Sequence, residues 1–149
     1  MKCPYCLHEE TKVVDTRESD DLITRRRREC LKCEKRFTTY ERVLLNLRVI
    51  KKDGRREPFE RNKLKNGILK ACEKRPISED AIENLIDEIE KELRNYEDTE
   101  INSSIIGQLV MKKLKKLDKI AYIRFASVYR EFTDINSFEK ELKNLTKEK

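Results

Sequence analysis

The chain has 149 residues, of which 43% are charged and 37% are hydrophobic, and it carries a formal net charge of +6. This length allows one ordinary domain or two small ones, and regularly spaced apolar residues after position 45 argue against intrinsic disorder. No apolar run approaches the roughly 18 to 20 residues needed to cross a bilayer, and the amino terminus lacks a signal-peptide core. We therefore expect a cytoplasmic protein without a membrane partner.

Two Cys-x-x-Cys pairs mark the amino-terminal part of the chain, Cys3 with Cys6 and Cys30 with Cys33. Each pair can present two sulfurs from one tight turn, and two such turns complete a tetrahedral shell that suits Zn²⁺. Four cysteine ligands leave no position open for water, so the spacing predicts a structural zinc site. A redox dithiol or an iron centre is the alternative interpretation.

The residues between and after these pairs predict a small three-stranded sheet. Segments 11–17 and 36–43 are β-prone, and the acidic residues 18–21 are expected to form a turn. Fewer than about 48 residues bury too little apolar surface to fold alone. We therefore expect metal binding to supply the missing stability of this zinc ribbon.

A basic cluster covers residues 25–36, which read RRRRECLKCEKR and oppose seven cations only with Glu29 and Glu34. Strand alternation sends two of the four consecutive arginines to each face. Guanidinium groups match phosphates and guanine edges, so the cluster favours a nucleic-acid partner, with a merely solvated charge run as the alternative. The candidate DNA-binding residues are Arg25, Arg26, Arg27, Arg28, Lys35, Arg36 and Arg42.

The segment 47–59, LRVIKKDGRREPF, has the two features of a β-hairpin. β-formers lie on both sides, and Asp53-Gly54 supplies a turn with positive φ. Cations crowd this turn and the following helix start: Lys51, Lys52, Arg55, Arg56, Arg61 and Lys63. They can converge on one phosphate cluster or simply form a soluble hairpin surface, and the residues alone leave both interpretations open.

Helical spacing follows the hairpin. Leu64, Ile68 and Cys72 share the face of a first helix that Pro76 is expected to end, and Ser78 caps a second. Further helices are predicted over Ser103–Leu117, from about Asp118 to Phe132, and through a terminal segment with Ile135, Phe138, Leu142 and Leu145. This order indicates an α+β chain: a small three-stranded zinc ribbon over 1–47, a mainly helical domain with an N-terminal β-hairpin over 48–138, and a C-terminal helical tail over 139–149.

Catalytic machinery is not visible in the sequence. Neither a P-loop nor a Gly-x-Gly-x-x-Gly loop occurs, and the single histidine, His8, lies in the ribbon without a recognisable Ser and Asp arrangement. We therefore expect a protein that is not an enzyme. A nucleotide hydrolase or phosphotransferase is the competing hypothesis.

Four motifs together resemble the NrdR family of bacterial transcriptional repressors, and the resemblance extends from Cys3 to about Phe138. The motifs are CPYC, RRRRECLKCEKRFTTYE, VIKKDGRREPFERNKL and KKLDKIAYIRFASVYREF, in that order. The resemblance implies a DNA-binding zinc ribbon joined to an ATP-cone that binds ATP or dATP, with Mg²⁺, as allosteric ligands. It also implies homo-oligomers whose state depends on the nucleotide, with dATP favouring the assembly that binds operators of ribonucleotide reductase genes.

The same resemblance implies the nucleotide-contacting positions. The lysines would neutralise phosphates, Val49 would pack near the base, and Glu57 would accept a hydrogen bond from the sugar or base. Carried over motif by motif, these positions are Val49, Lys51, Lys52, Glu57, Lys63, Asn102, Ile106, Arg124 and Tyr129. An alternative hypothesis treats the chain as an accessory allosteric subunit that docks on ribonucleotide reductase itself.

Overall fold

A computed structural model describes residues 1–20 and 22–147, and the side chains of Ser19 and Asp20 are not described. Asp21 of the predicted acidic turn and the last two residues of the predicted tail therefore lie outside the described residues. The chain divides into two compact units, Met1–Leu44 and Leu45–Lys149. The predicted α+β class is confirmed, because the first unit is built of strands and the second mainly of helices.

The first unit is an antiparallel three-stranded sheet. Its strands are β1 (Thr11–Asp20), β2 (Ile23–Cys30) and β3 (Arg36–Arg42), in the order β1-β2-β3. β1 continues through much of the segment predicted as a turn, with register shifts between Val13 and Asp15 and between Glu18 and Asp20. The run of four arginines therefore lies on the central strand, paired on both sides.

The second unit begins with the predicted hairpin. Strands β4 (Arg48–Ile50) and β5 (Arg56–Pro58) pair antiparallel. Gly54 adopts φ +83°, and Asp53 Oδ1 accepts a hydrogen bond from the Arg55 backbone N–H at 3.0 Å. These two residues form the tight turn that the sequence predicts.

A third strand of this sheet, β6 (Glu100–Asn102), pairs parallel to the other edge of β4 and was not predicted. Three residues are too few for an alternating hydrophobic pattern to be recognised. Pairing with a strand about fifty residues earlier also depends on tertiary structure rather than on local sequence.

Five helices follow the hairpin in the second unit. They are α1 (Arg61–Cys72), α2 (Glu79–Arg94), α3 (Ser103–Leu117), α4 (Lys119–Tyr129) and α5 (Ile135–Lys147). α1 ends before Pro76, and Lys74 adopts φ 58°. α4 ends before Phe132, because Arg130 caps it and Glu131 adopts φ 48°. α5 is continuous across the predicted domain boundary at residue 138.

The core of the second unit lies between the apolar faces of α1 to α4. The fully buried large side chains of this core are Ile68, Ile86, Ile89, Leu93, Val110 and Leu114. Ser78 Oγ caps α2 through a 3.1 Å hydrogen bond from the Ala81 N–H. Within the part of the chain that the structure describes, no helix has both the length and the apolar character needed to cross a membrane.

Asp118 caps α4 and also pairs with Arg75. Its Oδ1 accepts the Ala121 N–H at 2.8 Å, and Arg75 Nη2 lies 2.9 Å from Oδ2. Hydrogen bonds from the Arg75 side chain, and then from the Ala121 backbone, hold the pKa of this carboxyl below its usual value. Replacing Asp118 with Ala should lower the free energy of unfolding by about 0.5–2 kcal/mol, measured by denaturant unfolding at pH 7.

Asp118→Asn distinguishes the capping hydrogen bond from the ion pair with Arg75, because asparagine also caps helices but carries no charge. The lowered pKa contributes stability above the ordinary Asp pKa, and this contribution is lost as the pH falls through the folded-state pKa. The loss in free energy of unfolding caused by Asp118→Asn should therefore become smaller as the pH falls toward the ordinary Asp pKa of 3.8 and then below it. A deficit independent of pH would contradict the ion pair. Asp98→Asn, an exposed change, is the control.

Candidate metal centre and ligand cavity

Two turns with the same backbone form carry the four cysteines. In the first, the Cys3 N–H donates to the His8 carbonyl at 2.9 Å and the Leu7 N–H donates to the Cys3 carbonyl at 3.0 Å. In the second, the Glu34 N–H donates to the Cys30 carbonyl at 3.1 Å in the same relation. Leu7 and Glu34 adopt φ 62° and φ 57°. Each turn therefore directs two sulfurs to one side.

The four sulfurs form one compact cluster. Cys3 Sγ lies 3.6 Å from Cys33 Sγ, and Cys6 Sγ lies 3.6 Å from Cys30 Sγ. All four sulfurs are within 4.8 Å of one another. A tetrahedron with Zn–S bonds of about 2.3 Å has edges of about 3.8 Å, so the donor set and its size fit a structural zinc ion.

Backbone N–H groups stabilise negative charge on these sulfurs. The N–H groups of Lys32 and Cys33 point at Cys30 Sγ, at 3.4 and 3.5 Å. The Tyr5 N–H makes a similar contact with Cys3 Sγ at 3.4 Å. Donation from Cys33, and then from Lys32, lowers the pKa of Cys30 to about 6. Against donation from the Lys35 backbone, burial and contacts with the other three sulfurs raise the pKa of Cys33, on the same turn, to about 12. Without a metal the turn therefore favours the thiolate at Cys30 and not at both of its cysteines.

The arginine run divides between the two faces of β2. Arg26 and Arg28 point to one face, where Arg26 Nη2 lies 3.2 Å from Glu41 Oε2 and Arg28 Nε donates to Thr39 Oγ1 at 3.2 Å. Both side chains are thus engaged within the sheet. Arg25 and Arg27 point to the opposite face and make no ion pair with any described residue.

We call this opposite side of the sheet the basic face. The cross-strand register assigns it six cations: Lys12, Arg17, Arg25, Arg27, Arg36 and Arg42. Tyr40, in register with Arg25, lies on the same face under the Arg42 guanidinium, whose carbon is 5.1 Å from the ring centroid. Lys35 lies elsewhere, on the second cysteine turn, with its Nζ 5.1 Å from the centre of the Tyr5 ring.

Carboxylates neutralise part of the basic face. Glu29 pairs with Lys12 at 2.8 Å and with Arg36 at 2.6 Å, and hydrogen bonds from Lys12 and then Arg36 lower its pKa. Arg17 pairs with Asp15 at 3.0 Å. The centre of the face, on β2, therefore keeps two guanidinium groups available to an external anion.

The second unit has an open cavity of about 540 Å³ between the β4–β5 hairpin, α1, α3 and α4, which we call the hairpin cavity. Seven of the nine predicted nucleotide-contacting residues line it: Val49, Lys51, Lys52, Glu57, Lys63, Ile106 and Tyr129. Arg124 instead lines a neighbouring cavity of about 680 Å³ and donates from Nη1 to the Glu73 carbonyl at 2.6 Å. Asn102 is the N-cap residue of α3 and is not among the described residues that line either cavity.

One side of the hairpin cavity is cationic. Lys51 Nζ and Lys63 Nζ lie 3.7 and 3.5 Å from Glu57 Oε2, and Lys63 also pairs with Glu60 at 3.2 Å. Glu60, followed by Glu57, raises the pKa of Lys63. Lys52 pairs with Glu131, on the α4–α5 connection, at 3.0 Å. Each lysine lining the cavity is therefore held by a carboxylate.

Two of the hairpin cations predicted to converge on one ligand point elsewhere. Arg56 pairs with Glu100 at 2.9 Å, and Arg61 pairs with acidic residues of α2, including Glu83 at 2.8 Å and Asp87 at 2.7 Å. The lining cations among the described residues are Lys51, Lys52, Arg55 and Lys63. Strand alternation and the packing of α1 on α2 separate the two groups.

The other side of the cavity is apolar and aromatic. Phe125 and Tyr129 stack with ring centroids 5.9 Å apart, and the Tyr129 hydroxyl donates to the Ser104 carbonyl at 2.7 Å. Sequence reasoning missed Phe125, Glu131 and Gly107, which also line the cavity. Only Gly107 gave a signal, because a glycine inside a helical pattern usually has a packing reason.

Comparisons with known proteins agree on two segments. Residues 1–41 match the family model described as the transcriptional repressor NrdR-like N-terminal domain, and residues 47–135 match the ATP cone domain. The chain is 58% identical over 147 residues to a protein named transcriptional repressor NrdR from Clostridium kluyveri, with 97% of each chain covered. It is 58% identical over 151 residues to one of the same name from Caldicellulosiruptor saccharolyticus, covering 100% of this chain and 99% of that protein.

Zinc removal should unfold the first unit selectively. Cys33→Ser should abolish the binding of one zinc ion per chain, because one of the four sulfur ligands is lost. Without the metal the first unit should unfold, and the NMR signals of residues 1–44 should then be poorly dispersed. The helical circular dichroism signal should persist, since all the helices described here lie in the second unit. Zinc content is measured by atomic emission on the dialysed protein.

Cys72→Ala is the matched control, because Cys72 is buried in α1 outside the sulfur cluster. This variant should retain one zinc ion per chain and a folded ribbon. A ribbon that stays folded after complete removal of zinc would contradict the structural role of the metal.

Proposed function

Because the chain belongs to the NrdR family of transcriptional repressors, we propose that it represses bacterial ribonucleotide reductase genes in response to ATP and dATP. The zinc ribbon binds operator DNA, and the hairpin cavity of the ATP-cone binds the nucleotide. The family is one of regulators and not of enzymes. Its place of action is the cytoplasm, where both the DNA and the nucleotide pool are found.

The observation that carries the DNA-binding proposal is the basic face. The major groove of DNA is about 12 Å wide and admits a β-ribbon of two strands, so β2 with one neighbouring strand is narrow enough to approach it. Arg25 and Arg27 lie at the centre of this face without a carboxylate partner among the described residues, so DNA binding need break no ion pair between them and these residues. Arg36 and Arg42 extend the face along β3 toward neighbouring phosphates. Lys35, on the cysteine turn, is a further candidate for phosphate contact.

The polarity of the hairpin cavity supports nucleotide binding. A nucleotide has an anionic end and an apolar, planar end, and the cavity offers lysines on one side and Val49, Ile106 and an aromatic pair on the other. Bound phosphates would replace the carboxylates that now neutralise the lysines. Mg²⁺ is expected to accompany the phosphates.

Nucleotide control of DNA binding follows most simply from oligomerisation. One small ribbon makes few phosphate contacts, whereas two ribbons held in one assembly bind with a large effective concentration. A nucleotide that changes how protomers associate therefore changes operator affinity. We propose that dATP favours the DNA-binding assembly and that ATP alone does not.

Arg25→Ala combined with Arg27→Ala should weaken operator binding and reduce the dependence of log K on log salt concentration by about 2, because two phosphate contacts are lost. Operator binding is measured by fluorescence anisotropy over a range of KCl concentrations. The titrations are made with dATP plus ATP and with ATP alone, and parent affinity should be higher in the first condition.

Arg26→Ala combined with Arg28→Ala is the matched control, because it removes the same charge from the opposite face. Its salt dependence should stay closer to that of the parent. Equal parent affinity in both nucleotide conditions would contradict nucleotide control. Unchanged affinity of the Arg25 and Arg27 variant would contradict the basic face as the DNA site and favour docking on ribonucleotide reductase.

Glu131→Gln should strengthen ATP binding by up to about fivefold, because the phosphates no longer compete with a carboxylate for Lys52. The effect is small since the Lys52–Glu131 pair is exposed. Lys52→Ala should weaken ATP binding. Isothermal titration calorimetry with and without Mg²⁺ measures both variants, and weaker binding by Glu131→Gln would indicate that Glu131 itself helps to hold the ligand.

A further inference from the structure

Gly107 lies in the middle of α3, is buried, and lines the hairpin cavity. The ring of Tyr129, at the end of α4, lies directly against its backbone. A Cβ atom placed at position 107 would lie 2.0 Å from Tyr129 Cε2 and 2.2 Å from Cζ. Carbon atoms in contact are normally about 3.5–4.0 Å apart. Tyr129 therefore occupies the space that a side chain at position 107 would fill.

Two further contacts hold the Tyr129 ring in this place. Its hydroxyl donates to the carbonyl of Ser104, in the first turn of α3, at 2.7 Å. Phe125, one turn earlier in α4, stacks on it with an interplanar angle of 20°. The ring thus lies against α3 and forms part of the cavity wall between α3 and α4.

We propose that Gly107 is a positioning residue for nucleotide binding, which acts by allowing the Tyr129 ring to lie directly against α3 and form part of the cavity wall. The proposal rests on the proposed function of the hairpin cavity and assigns a role to a residue that makes no polar side-chain contact of its own. Any larger residue at position 107 displaces the ring by about 1.5 Å or more and separates its hydroxyl from Ser104.

Helix stability alone gives no reason for a glycine at this position. In a helix interior alanine is favoured over glycine by about 1 kcal/mol. α3 therefore loses stability at Gly107, and the close approach of the Tyr129 ring is the contact that requires the missing Cβ. Tyr129 is only half-buried, so its ring can move aside without unfolding the domain. A substitution at 107 should consequently affect the cavity more than the fold.

Gly67 provides a matched control. It lies in α1 and lines the same cavity, but a Cβ at this position would be 3.9 Å from Phe125 Cε2, an ordinary van der Waals distance. Gly67→Ala and Gly107→Ala are therefore the same chemical change, in helices that line the same cavity. Only the second displaces a side chain.

The experiment measures dATP and ATP affinity by calorimetry for the parent, Gly67→Ala, Gly107→Ala, Tyr129→Ala and the Gly107→Ala/Tyr129→Ala double variant. We expect Gly107→Ala to bind at least about tenfold more weakly than Gly67→Ala, which adds the same methyl group to the cavity without displacing Tyr129, and we expect its thermal unfolding midpoint to change little. If Gly107 acts through Tyr129, the double variant should bind no more weakly than Tyr129→Ala alone.

The outcomes distinguish this inference from the function on which it rests. Failure of the parent to bind either nucleotide would overturn the proposed function, and the positioning role with it. Normal binding by Gly107→Ala would overturn the positioning role alone. Additive losses in the double variant would also overturn it, because Gly107 would then act independently of Tyr129.

Discussion

The sulfur cluster is the interaction on which the first unit depends. Among the described residues of this unit, the buried apolar side chains are Cys3, Ile23 and Cys30, and two of these three are metal ligands. A sheet with so little apolar surface lacks the hydrophobic driving force of an ordinary domain. The four thiolates around one metal ion replace that core, and they join the amino-terminal turn to the β2–β3 turn at the end of the sheet where Thr11 pairs with Cys30. We therefore expect the presentation of the arginines on β2 to depend on metal binding.

The same ribbon shows how a dense cationic cluster is tolerated. Carboxylates pair with the cations at its edges, through Glu29 and Asp15 on the basic face and Glu41 on the other face. Such exposed pairs contribute little to stability individually. Their distribution nevertheless determines which cations remain available, and on the basic face it leaves Arg25 and Arg27 without an ion pair to any described residue. The paired cations form a rim around this centre.

In the hairpin cavity of the ATP-cone, unlike at the centre of the basic face, the cations that line the site are already paired with carboxylates. Here every lining lysine already has a carboxylate partner, so a nucleotide phosphate bound there, as we propose, would have to compete with Glu57, Glu60 and Glu131. Competition of this kind lowers affinity and makes binding sensitive to the number and position of the phosphate charges. Glu131 belongs to the α4–α5 connection, so the ion pair between Lys52 and Glu131 lies next to the start of α5 in the sequence. Tyr129, on the preceding turn, ties the same connection to α3 through Gly107 and Ser104.

Much of this protein follows from local sequence patterns. Cysteine spacing predicts the metal cluster, Asp53-Gly54 predicts the hairpin, and helical periodicity predicts all five helices, although α4 ends at Tyr129, before the expected Phe132. Each of these patterns reflects contacts within a few residues of the chain. Strand β6, the separation of Arg56 and Arg61 from the cavity lysines, and the displacement of Arg124 to a neighbouring cavity were decided by tertiary structure. So was the contact between Gly107 and Tyr129. Each of these features depends on which helix or strand lies beside which, and pairing between elements twenty or more residues apart leaves no periodic signal in the chain.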